Sequence, residues 1–84
     1  MATIILERSY DPPIDAARFG EMAQRVGECL GAYRAKWVRS YLSDDGRRSV
    51  CEFEAADAEQ VRASFRAAGV GFDGTWTAKV FASG

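Results

Sequence analysis

The chain has 84 residues and a mass of 9.2 kDa, with 48% apolar residues, 27% charged residues and a formal net charge of −1. Two prolines and eight glycines are too few for a collagen-like or low-complexity chain, and the apolar content is too high for disorder, so residues 1–84 read as one small folded domain. Alanine supplies 14 of the 40 apolar residues, which leaves 26 larger side chains for a core; surface scaling buries only roughly 63% of such a chain's area, a marginal figure that points to an oligomer.

In chain order, Thr3 to Ser9 forms the first strand, with Ile4, Ile5 and Leu6 as β-formers and Asp11-Pro12-Pro13 as the stop. Asp15 is placed to cap a helix in which Phe19, Met22, Ala23, Val26, Leu30 and Tyr33 repeat at i, i+3, i+4 and i+7. Glycines 20, 27 and 31 each cost such a helix up to about 1 kcal/mol relative to alanine, so packing onto a sheet must hold it.

A hairpin follows, with Lys36 to Ser43 and Arg47 to Glu54 joined at Asp45-Gly46. A two-residue turn there sets Val38 against Phe53, Ser40 against Cys51 and Leu42 against Ser49 on one face. Trp37, Arg39, Tyr41, Val50, Glu52 and Glu54 then line the other, with Arg39 across from Glu52. Asp57 and Gln60 begin the second helix as a capping box, Ala58, Val61, Phe65 and Ala68 face inward, and Gly69 ends it. The last strand is expected from Thr75 to Phe81, where Trp76, Ala78 and Val80 alternate with Thr77, Lys79 and Phe81.

The order βαββαβ and the right-handed crossover rule give a ferredoxin-like α+β sandwich, a four-stranded antiparallel sheet with both helices on one face. The other face is then open to water, and a patch carrying two aromatics marks an interface or a ligand surface. No apolar run near the N-terminus suits a signal peptide or membrane span, so the chain reads as cytoplasmic with no membrane partner. The sequence pI of about 5.3, and two carboxylates on the third strand where bases would stack, argue against a nucleic-acid partner. Gly69, Gly71 and Gly74 match the spacing of a dinucleotide fingerprint but follow a helix instead of opening one, so they read as a flexible connection. Cys29 and Cys51 are too few for an iron–sulfur cluster and read as small buried hydrophobes.

On the open face Trp37, Arg39, Tyr41, Glu52 and Glu54 are the candidate ligand-binding residues, and Glu7, Glu52 and Glu54 the candidate metal ligands. Arg39 suits an anionic ligand or an ion pair with Glu52. A small cofactor-free enzyme of the isomerase or cyclase type is the alternative, with Arg39 positioning an anionic substrate, Glu52 as base and Tyr41 as acid. A third reading makes the face a dimer contact and nothing more.

Leu6-Glu7-Arg8, the run Trp37-Val38-Arg39-Ser40-Tyr41-Leu42-Ser43-Asp44-Asp45, Cys51-Glu52-Phe53-Glu54-Ala55 and Val61-Arg62 resemble a small bacterial ferredoxin-like family that includes a nickel-binding protein. The resemblance implies a homodimer of βαββαβ subunits and, in some members, divalent nickel bound at the surface or dimer interface. Arg39 stands where many relatives carry His, and the chain has no histidine at all. Imidazole suits nickel and guanidinium cannot ligate it, so any metal here must use carboxylates, Tyr41 or thiolates.

Overall fold

The computed structural model describes residues 1–83. Strand β1 spans Ala2–Ser9, helix α1 Ala16–Leu30, β2 Lys36–Leu42, β3 Arg48–Ala55, helix α2 Ala58–Ala67 and β4 Gly74–Ala78, with one 3₁₀ turn, Gly31–Tyr33, after α1. The sheet is antiparallel in the order β2-β3-β1-β4. This is the ferredoxin-like α+β sandwich expected from the element order.

Local chemistry sets both helix starts. The Asp15 carboxylate accepts from the Arg18 amide at 2.8 Å, and that of Asp57 accepts from the Gln60 amide at 3.0 Å. The Gln60 side-chain oxygen in turn accepts from the Ala56 amide at 2.9 Å. At the end of α2, Gly69 takes φ +72°, the Gly69 amide donates to the Arg66 carbonyl and that of Val70 to the Phe65 carbonyl, which is a Schellman closure. Gly69 is thus a defined cap rather than a flexible connection. Helix α1 stops at Leu30; Tyr33 falls in the 3₁₀ turn and is exposed, so it leaves the inward stripe assigned to it from spacing.

The core is the layer between sheet and helices. Ile4 and Leu6 of β1, Cys51, Phe53 and Ala55 of β3, Met22, Val26 and Leu30 of α1, and Val61 and Phe65 of α2 are buried together. Trp37 joins them. Its ring lies 4.9 Å from that of Phe53, which meets Phe65 edge-on at 5.7 Å, and Phe65 meets Phe72 at 6.1 Å. Edge-to-face contacts of this kind add about 0.5–1.5 kcal/mol each beyond burial.

The hairpin keeps its expected register near the turn, with Leu42 against Ser49, Tyr41 against Val50, Ser40 against Cys51 and Arg39 against Glu52. The turn is longer than two residues. The Gly46 amide donates to the Ser43 carbonyl and the Ser43 amide to the Arg48 carbonyl, so Asp44–Arg47 form the loop. Gly46, at φ +70°, is buried against the β1–α1 connection, and its carbonyl accepts from the Ile14 amide at 2.9 Å. Beyond Arg39 the pairing shifts, because Val38 is a bulge and Trp37, not Val38, opposes Phe53. Strand β4 ends at Ala78 rather than Phe81, since its partner Thr3 lies near the beginning of β1 and the residues after Ala78 have no strand beside them.

Candidate functional site

The open face is built from residues that oppose one another across the ladders. Ile5 and Glu7 of β1 lie level with Glu52 and Val50 of β3 and with Trp76 and Gly74 of β4, while Arg39 and Tyr41 of β2 complete the row. No helix covers them, because the side chains that meet the helices are those of the alternate set, Ile4, Leu6, Cys51 and Phe53.

Of the residues assigned to this face from sequence, Arg39, Tyr41, Glu52, Glu54 and Glu7 are on it. Trp37 is not. The bulge at Val38 rotates Trp37 onto the helix-covered side, where its ring stacks in the aromatic cluster and its Nε1 donates to Ser40 Oγ at 2.7 Å. Alternation alone puts Trp37 and Arg39 on one face; one extra residue between them separates the two.

The second aromatic of the open face is Trp76, 48% exposed on the edge strand β4, while Tyr41, 63% exposed, lies on the opposite edge strand β2. Sequence reasoning placed Trp76 in the last strand but did not assign its face. The signal was the Gly74-x-Trp76 spacing, which becomes decisive only when Gly74 is known to pair with Glu7. Arg48 was also missed.

The polar groups form two clusters. Arg39 Nε lies 3.5 Å from Glu52 Oε1, with both side chains in partial contact with water, so the pair contributes at most about 1 kcal/mol. Glu7 is shared: Trp76 Nε1 donates to its Oε2 at 3.1 Å, and Arg48 Nη2 approaches Oε1 at 3.9 Å. An indole and two guanidiniums therefore meet these carboxylates across all four strands.

Among the described residues, no three His, Cys, Asp or Glu side chains come together to hold a metal ion. Glu7, Glu52 and Glu54 share a face but do not converge. Both cysteines are free, Cys51 sealed in the core and Cys29 half-buried in α1. Burial pushes the Cys51 thiol above its ordinary range, against weaker opposition from the Ser40 hydroxyl and the charge of Arg8. A protonated buried thiol is neither a nucleophile nor a ligand.

A ferredoxin-like sandwich with one bare sheet face, which carries ion pairs and two exposed aromatics, defines the class of protein as a small α+β module. A family model described as nickel responsive protein SCO4226-like matches residues 5–76, and the chain belongs to that family. The fold is shared with SCO4226 from Streptomyces coelicolor A3(2), whose crystal structure superposes with a TM-score of 0.88 at 15% identity, covering 96% of this chain and 100% of that one. No curated protein matches the sequence. No helix among the described residues is long and apolar enough to cross a membrane.

Proposed function

We propose that this chain is a homodimeric binding protein that holds a small polar ligand on the open sheet face, using Arg39, Tyr41, Glu52, Glu54 and Trp76. The observation that carries this reading is one bare sheet face with an exposed ring on each edge strand, Tyr41 on β2 and Trp76 on β4, and the Arg39–Glu52 ion pair on β2 and β3. Aromatic walls beside a few oriented charges are the usual makings of a ligand surface. A second copy set over this face would take the rings, Ile5 and Val50 out of water and enclose the charged row between two sheets.

The family description points to nickel, but the donors of one chain do not fit that ion. There is no imidazole, Glu52 is paired with Arg39, and Glu7 is paired with Trp76 and Arg48. The ligand best matched to this face is a small molecule whose anionic group meets Arg39. The same pairing leaves Glu52 a poor general base, because its carboxylate is already engaged by the Arg39 guanidinium.

Native mass spectrometry of protein purified without chelators tests the proposal. The expected spectrum is a dimer carrying retained small molecule, with Arg39→Ala losing the adduct and keeping the dimer. A monomer at micromolar concentration sinks it. A nickel adduct abolished by Glu52→Gln would replace the small-molecule ligand with a metal.

A further inference from the structure

Away from the sheet's open face, a cleft of about 770 Å³ opens between the end of β1, the connection that follows it and helix α1. That volume is in the range of small-molecule sites. Arg8 forms one wall, since it lies in phase with Ile4 and Leu6 and so points to the helix side. Its guanidinium stacks 4.9 Å above the Tyr10 ring, with Nη1 3.5 Å from the Tyr10 hydroxyl. Tyr10 is buried, and its hydroxyl shares a 2.6 Å hydrogen bond with Ser49 Oγ. Arg8 is therefore oriented by contacts that use few of its five N–H donors.

The facing wall is helical. Arg18, Met22 and Arg25 recur at i, i+4 and i+7 along α1, so both guanidiniums reach the same cleft. Five of the nine arginines sit within 4.0 Å of a carboxylate, namely Arg39, Arg47, Arg48, Arg62 and Arg66. Among the described residues, three of the four that do not are these three. Glu21 and Glu28 also line the cleft, which leaves it a net charge of +1. Ile14, Met22 and the Tyr10 ring supply apolar surface.

We infer that this cleft binds a small organic carboxylate, with Arg8 and Arg25 holding the carboxylate and Ile14, Met22 and Tyr10 against its apolar body. Guanidiniums without a carboxylate partner on opposite walls, that of Arg8 oriented by Tyr10, suit a carboxylate that accepts from both, and the net charge of +1 suits a monoanion. This site is separate from the open face, so the two readings stand or fall independently.

Benzoate titrated into the ¹⁵N-labelled full chain is the test, with acetate and benzamide as the probes lacking the body and the charge. Benzoate should shift the amide resonances of Arg8, Tyr10 and Arg25, and bind more tightly than either control. Arg25→Gln, on the exposed side of a helix, should weaken binding about tenfold, as should Arg8→Gln, because each removes a charge-assisted contact. Glu21→Gln should strengthen it, and Arg39→Gln on the open face should leave it unchanged. Benzamide or acetate binding as well as benzoate, shifts centred on Arg39 and Tyr41, or an Arg25→Gln affinity equal to wild type would each overturn the inference. No binding of benzoate at millimolar concentration would do the same.

Discussion

Trp37 and Arg39 stand two residues apart on one strand and face opposite ways, and this decides what each does. Trp37 belongs to the aromatic cluster, so Trp37→Ala should destabilise the fold by about 3 kcal/mol in urea titrations. Arg39→Ala should cost under about 1 kcal/mol, because its ion pair is partly solvated. Similar losses for the two variants would return the indole to the open face. The open-face residues Arg39, Tyr41, Glu52 and Glu54 were legible from alternation alone. Trp37 was not, because a bulge leaves no mark in a two-residue period and is visible only when the partner strand is counted against it. Cys51 carries a pH signature. Burial raises its thiol above the ordinary value, so its contribution to stability is fully present below that value and is lost as pH rises through the raised one. Equilibrium unfolding of Cys51→Ala should lack this alkaline slope, while wild type shows it. Asp45 acts at the other end: the Ser43 hydroxyl, and then the Arg47 amide, hold its carboxyl below the usual range. Its contribution is present above the ordinary carboxylate value and lost as pH falls through the lowered one.

Among the elements, glycines divide by where they sit. Gly20 and Gly27 lie on the outer side of α1, and a Cβ added at either meets nothing within 4 Å. Alanine at each should stabilise the helix by about 0.5–1 kcal/mol and raise Tm by several degrees in calorimetry. Gly69→Ala should destabilise by about 1 kcal/mol, from its left-handed backbone. Gly46→Ala should be worse, about 2 kcal/mol or more, because the same strain is joined by a Cβ placed 2.2 Å from the Ile14 carbonyl oxygen. A Gly46→Ala protein as stable as wild type would show that the turn does not pack on the Ile14 backbone. The caps at Asp15, Asp57 and Gly69 were readable because each is a local bargain between a side chain or a glycine and nearby amides. The end of β4 was not, since the sequence stays strand-like to Phe81 and only the position of Thr3 across the ladder ends the pairing.

For the whole molecule, the order of elements was enough to deduce the sandwich and its bare face, because crossover handedness leaves few ways to stack two helices on four strands. It was not enough to show which rings occupy that face, since β1, which brings Trp76 beside Glu7, lies 69 positions away from it in the chain. The proposed homodimer rests on the same bare face. Tyr41→Glu and Trp76→Glu should each shift the assembly toward monomer in sedimentation equilibrium and abolish the concentration dependence of Tm, with little loss of secondary structure. Retention of a dimer in both variants would move the contact to a strand edge.

The bulge has one more implication, for chain length. Val38 has no partner on β3, while Trp37 and Arg39 already oppose consecutive residues there. A chain lacking Val38 could close the ladder into a regular one with every remaining pair unchanged, the indole still inside and the guanidinium still outside. Excision of a residue from the middle of a strand ordinarily inverts everything beyond the cut; at this position alone in β2 it should be absorbed, and homologues one residue shorter here would be expected to fold alike.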